Sequence, residues 1–142
     1  MSRNDSLDLA TQLHAAAIRL LRAVRVADDE TGLSAPKLSA LSVLVFGGPQ
    51  SLKALARAEQ VTAPTMSKLV ADLEAAGLAA KRADPADKRG VVIQVTAKGR
   101  ALMEAGRRRR LALLQERLGR LSKAERDQLA AAAGLMAKLA QP

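Results

Sequence analysis

Two short runs hold the side chains with the most chemistry. Thr62, Pro64, Thr65, Ser67 and Lys68 bring hydroxyls and one ammonium together, and Asp87, Lys88 and Arg89 set an acid beside two cations. Hydroxyls, an ammonium and a guanidinium supply hydrogen-bond donors and fixed positive charge, which suits a polyanion with readable hydrogen-bonding edges. They are poor material for covalent chemistry. The chain has no cysteine and one histidine, His14, so a Cys/His pair, a disulfide, a thiolate metal site and a thiol redox sensor are excluded. There is no phosphate-binding glycine loop and no carboxylate pair in a plausible cleft, so an enzyme is not expected. Neither a cofactor nor a metal is expected. Phe46 is the only aromatic residue, so base stacking is unavailable and single-strand or RNA platforms are disfavoured.

The elements around the first run read as a helix-turn-helix. Ser51 caps a short helix with an inner face of Leu52, Leu55 and Ala56, and Glu59, Gln60 and Val61 make the turn. Thr62 caps the next helix, with Pro64 tolerated in its first turn. Met66, Leu69, Val70 and Leu73 follow helical spacing and face a core. At about 100° per residue, Pro64, Lys68 and Ala71 point the other way, with Thr65 and Ser67 on the flanks. Gly77 closes the helix. Taken alone, this is also the pattern of an ordinary amphipathic helix with a solvated face.

Around the second run, Leu78–Arg82 and Val91–Val95 read as paired strands. The loop between them turns at Asp84-Pro85 and ends at Gly90. Lys88 and Arg89 at such a tip suit the negative potential of a narrow minor groove, and Asp87 is expected to hold the Arg89 guanidinium in one pose. A solvated turn with incidental charges is the blander alternative. Helix-turn-helix followed by cationic hairpin is the order of parts that fits B-DNA: a helix for the major groove, a wing for the minor groove beside it.

The chain has 142 residues, expected to form a single domain (1–142), and a net charge of +9. That excess points to nucleic acid or an anionic membrane surface. No run approaches the roughly 18 apolar residues of a membrane span, and the N-terminus has no signal-peptide core. A soluble cytoplasmic protein without a membrane partner is therefore expected. The first helix is predicted from about Leu7 to Ala27 with a stripe at Leu13, Ala17, Leu20 and Val24. A second opens at Ser34, carries Leu38, Leu41, Leu44 and Val45 inward, and stops at Gly47-Gly48-Pro49. Thr96 caps a long helix to about Gly119 with a seam of Leu111, Leu114, Leu118 and Leu121. Ser122 to Glu125 is a capping box for a last helix striped with Leu129, Ala132, Ala133, Met136 and Leu139. These helices are apolar over more face than a winged domain of this size can bury, so a homodimer interface is expected. The fold class is mainly α (α+β): a winged helix-turn-helix over 34–96, with a helical dimerisation part over 1–33 and 97–142. Arg107–Arg110 spread around the helix wheel and read as solvated charge and ion pairs. His14, beside the Leu13 stripe, reads as a packed or interface residue.

From about Leu38 to Gly99, and in helix layout over nearly all the chain, the sequence resembles the MarR-type transcriptional regulators. The matching pieces are Leu55-Ala56, Val61-Thr62, Thr65 to Val70, Asp72-Leu73-Glu74, Gly77-Leu78, Asp84-Pro85, Asp87-Lys88-Arg89, Val95-Thr96 and Gly99. The resemblance implies an obligate homodimer with interlocked terminal helices that binds a palindromic operator on double-stranded DNA; the function expected is a sequence-specific DNA-binding repressor. It implies that residues 62–76 form the recognition helix, that Arg89 enters the minor groove supported by Asp87, and that a small-molecule effector weakens binding. The chain departs from better-understood members in lacking a cysteine for peroxide sensing, a His/Glu cluster for zinc, and any Tyr or Trp for an aromatic pocket. Both the effector's identity and whether the chain takes one are left open. A nucleoid-associated or architectural DNA-binding protein without operator specificity is the alternative function.

Overall fold

The structure, a computed structural model, describes Met1–Gln141. In chain order it consists of α1 (Arg3–Arg25), a 3-10 stretch (Val26–Thr31), α2 (Ala35–Gly47), α3 (Leu52–Ala58), α4 (Ala63–Ala75), β1 (Ala79–Ala83), β2 (Val91–Val95), α5 (Ala97–Gly119) and α6 (Lys123–Leu139). The expected fold class is found, helices with one small antiparallel sheet. The chain divides into two compact units: Asp28–Arg108, and Met1–Ala27 with the segment from Arg109 onward.

The first of these, the winged unit, closes its own core. Leu41 and Leu44 from α2, Leu55 from α3, Met66, Val70 and Leu73 from α4, and Ile93 from β2 are almost completely withdrawn from water. Burying a side chain of that size contributes roughly 1.5–3 kcal/mol over leaving it exposed. Leu52 and Leu69, expected inside, are half-buried and pack against this cluster, as do Leu102 and Met103 of α5. Ala40 also lies in the core. Gly48 (φ 74°) follows α2, and Gln50 then pairs with Ile93 of β2, giving the wing a third, one-residue strand (N to O 3.0 and 2.7 Å).

The wing is β1 against β2 in register Ala79↔Val95 to Ala83↔Val91. It begins one residue later than the expected Leu78, because Leu78 belongs to the end of α4. Its N–H reaches the Leu73 carbonyl at 2.9 Å while the Gly77 N–H reaches Glu74 at 2.9 Å. That pair of bonds is a Schellman cap, and Gly77 supplies the left-handed backbone it needs, at φ 73°.

The second unit, the helical unit, is built differently. α1 starts at Arg3, earlier than the predicted Leu7, because Ser2 and Asp5 form a capping box upstream of the apolar stripe, and it ends at Arg25. The Ser122/Glu125 capping box opens α6 as expected. Among the described residues, no side chain of this unit is buried. Its leucines instead line an open apolar groove of about 580 Å³ that includes Leu20, Leu114, Leu118, Leu121, Leu129 and Met136. Arg109 donates from Nε to the Ala27 carbonyl at 3.2 Å, and Arg107 and Arg108 are exposed, so the arginine run is spread around α5. His14 is exposed on α1. Among the described residues, no helix is long and apolar enough to cross a membrane, and no three His, Cys, Asp or Glu side chains gather as metal ligands.

Candidate nucleic-acid interface

Helix α4 has two sharply different faces. Thr62 is its N-cap, with the hydroxyl accepting the Thr65 N–H at 3.3 Å and donating to the Thr65 hydroxyl at 2.9 Å. Pro64 occupies the first turn, where the missing N–H removes no helical bond. Met66 and Val70 are fully buried, whereas Thr62, Pro64, Thr65, Ser67 and Lys68 are all exposed. The structure therefore brings these sequence-predicted residues onto one solvent-facing, hydroxylated and basic surface at the N-terminal half of the helix.

The C-terminal half carries acids, and both are neutralised from outside the helix. Lys37 of α2 lies 3.4 Å from Asp72, and Lys81 of β1 lies 3.5 Å from Glu74. With one exposed and one half-buried partner each, such pairs stabilise the fold by only about 0–1 kcal/mol. Their larger effect is on the local field, because they cancel the charge nearest Lys68 that would repel a phosphate. Lys68, Lys88 and Arg89 are exposed and enter no ion pair among the described residues. Sequence spacing could not reveal Lys37–Asp72, because its partners lie on different helices.

The wing tip is organised by its acids. Asp84 accepts the Ala86 N–H at 2.9 Å, and Asp87 accepts the Arg89 N–H at 3.0 Å. Asp84 N–H to the Gly90 carbonyl (3.0 Å) and Gly90 N–H to the Asp87 carbonyl (2.9 Å) close the loop. The expected contact between the Asp87 carboxylate and the Arg89 guanidinium is replaced by this bond to the Arg89 backbone. Asp87 thus shapes the turn that presents Arg89 and leaves the guanidinium exposed. Asp87 and Lys88 are exposed with it.

Two connections that hold α4 in place were not legible from spacing. Ser39 of α2 donates to Glu59 in the turn before α4 at 2.9 Å. At the other end, the first turn of α5 grips the end of α4: the Thr96 hydroxyl donates to the Gly77 carbonyl at 2.6 Å and Lys98 Nζ to the Ala76 carbonyl at 2.9 Å. Gly99 makes that approach possible, since a Cβ there would stand 2.2 Å from the Leu78 carbonyl oxygen.

Comparison with known proteins agrees with this geometry. The profile of the MarR family matches residues 31–90. A helix-turn-helix-type transcriptional regulator of Mycobacterium tuberculosis is 38% identical over 131 residues, 92% of each chain. A transcriptional regulator from Thermotoga maritima superposes with a TM-score of 0.83 over 94% of each chain, at 22% identity. BpsR of Bordetella bronchiseptica, whose DNA binding is regulated by 6-hydroxynicotinic acid, is 28% identical, with a TM-score of 0.62 over 94% of this chain and 93% of its own. With a relative this similar over nearly its full length, and a family profile that spans the helix-turn-helix and the first strand and loop of the wing, the chain belongs to the MarR family of DNA-binding transcriptional regulators.

Proposed function

We propose that the protein is a repressor that binds a palindromic operator as a homodimer, with residues 34–96 reading DNA and residues 1–33 and 97–142 joining the two copies. The observation that carries this reading is the exposed N-terminal half of α4, where Thr62, Pro64, Thr65, Ser67 and Lys68 face solvent over a fully buried Met66 and Val70. A helix that presents small hydroxylated residues and one lysine can lie deep in a major groove and reach base edges. Arg89 would then enter the adjacent minor groove from a turn set by Asp87, with Lys88 beside it on phosphate. Two copies related by a two-fold axis present two such helices, which is why the operator should be an inverted repeat. The regulated DNA binding of BpsR supports a small-molecule effector here too, one recognised without tyrosine or tryptophan.

Selection of duplexes from a randomised library, followed by titration of the selected duplex against random DNA, tests the reading. A regulator should prefer its site by about a thousandfold or more. Near-equal affinities would favour an architectural protein instead. Placing the selected site in a promoter–reporter pair then tests repression, which requires lower output when the protein is present.

A further inference from the structure

The end of α4 is held by more bonds than a helix terminus requires. The Schellman cap already engages the carbonyls of Leu73 and Glu74, and the usual fate of the following carbonyls is water. Here three in succession are taken by the start of α5. Lys98 Nζ donates to Ala76 at 2.9 Å, the Thr96 hydroxyl to Gly77 at 2.6 Å, and the Thr96 N–H to Leu78 at 3.0 Å. The Thr96 hydroxyl also accepts the Gly99 N–H at 3.0 Å, so one side chain caps α5 and clasps α4 together. The aliphatic stem of Lys98 lies along the Gly77 backbone, with its Cδ carbon 3.7 Å from where a Gly77 Cβ would stand.

We propose that Lys98, acting with Thr96, is a positioning residue for DNA reading: it fixes the angle at which α4 leaves the body of the winged unit, and so the angle at which Lys68 and its neighbours meet the bases. This rests on the DNA-reading role proposed for α4 and adds a residue outside the reading surface. The chemistry favours the role. An ammonium at a helix C-terminus is stabilised by the negative end of the helix dipole, and its hydrogen bond to a carbonyl is charge-assisted. Core packing fixes where α4 lies and Thr96 holds the Gly77 and Leu78 carbonyls; Lys98 adds a side-chain bond to the adjacent Ala76 carbonyl, which narrows the remaining freedom in its angle. Lys98 is also exposed, so removing its ammonium leaves no buried group unsatisfied. Its loss should therefore disturb orientation far more than stability.

The test uses the full-length protein and the duplex that the wild-type protein selects from a randomised library. Lys98→Met keeps the stem and removes the ammonium; Lys98→Arg restores a cationic donor. Lys98→Met should lose about tenfold in affinity for the selected duplex, the size of one mismatched base pair. Its affinity for random duplex should change by less than about twofold, with an unchanged melting temperature, and Lys98→Arg should recover most of the loss. Equal losses on selected and random DNA with a shallower salt slope would mean that Lys98 merely touches phosphate, and the proposal falls. Unchanged binding of Lys98→Met to both duplexes overturns it as well. A wild-type protein that selects no duplex at all would instead overturn the DNA-reading role on which it rests.

Discussion

Leu41, Leu44, Leu55 and Leu73 of the winged unit are 0–1% exposed, whereas Leu111, Leu129, Leu135 and Leu139 of the helical unit are 46–72% exposed. The residue type and the helical spacing are the same in both places. What differs is the supply of facing surface. In the winged unit, α2, α3, α4 and the sheet enclose a common centre. In the helical unit, α1 and α6 contain no buried residue, and the seam of α5 opens onto an apolar groove. Periodicity identifies which face of a helix is apolar; it does not say whether the surface that covers it belongs to the same chain. The winged unit is a finished core, and the helical unit leaves its apolar faces open, as the proposed homodimer would require.

The helical unit is most sensitive at Leu118, which lines its groove. In the proposed homodimer, Leu118→Asp should abolish dimerisation and the folding of the helical unit together, because the described residues of that unit include no buried one to hold it without a partner. Sedimentation and circular dichroism check this, and a folded monomeric variant would contradict it. Leu41→Ala, by contrast, should lower stability by about 2–5 kcal/mol through a cavity in a closed core. Its dimer mass in native conditions should be unchanged, and denaturant titration gives the loss.

The reading surfaces yield smaller effects. Lys68→Ala should reduce operator affinity by about 1–3 kcal/mol if the lysine reaches a base edge, and shift preference at one half-site position. Thr65→Ala and Ser67→Ala should do the same more weakly; three silent substitutions would mean that α4 is not the reader. On the wing, Arg89→Ala should weaken binding more than Lys88→Ala, since a guanidinium gives up less hydration on entering a narrow groove. Asp87→Ala should also weaken binding, although it makes the wing more basic, because it removes the acceptor of the Arg89 N–H. Titration of these variants on one operator at fixed salt decides the sign. The smallest effect lies at the N-terminus. The Ser2 backbone N–H, and then its side chain, hold the Asp5 carboxyl below its ordinary value of 3.8. A depressed carboxyl stabilises the folded state above the unfolded value, and that contribution fades as pH falls through the folded one. The protection factor of the Asp5 amide, with the intrinsic slowing of exchange in acid divided out, should therefore fall as pH drops while the core of the winged unit stays protected.

Much of this was legible in the residues because it is local. Caps at Ser51, Thr62 and Ser122, the Gly77 stop and the stripe of Met66, Val70 and Leu73 are each decided within a few positions. Where an element starts elsewhere than its pattern suggests, the cause is local too. The start of α1 was hidden because its cap lies outside the apolar stripe, and the strand start because Leu78 serves the preceding helix. Contacts across the fold were not legible at all. Nothing in spacing joins Lys37 to Asp72, Ser39 to Glu59 or Lys98 to Ala76, and the hydrogen bond of Asp87 to the Arg89 backbone depends on a turn whose shape only coordinates give.

In the proposed regulator a closed winged unit reads DNA while an open helical unit pairs two copies. The mass of the complex formed on the selected duplex tests both halves at once. Sedimentation equilibrium, or native mass measurement, should find two 15.0 kDa chains per duplex, and free protein at micromolar concentration should already carry the mass of two chains. A folded 15.0 kDa monomer that binds one chain per duplex would contradict the account.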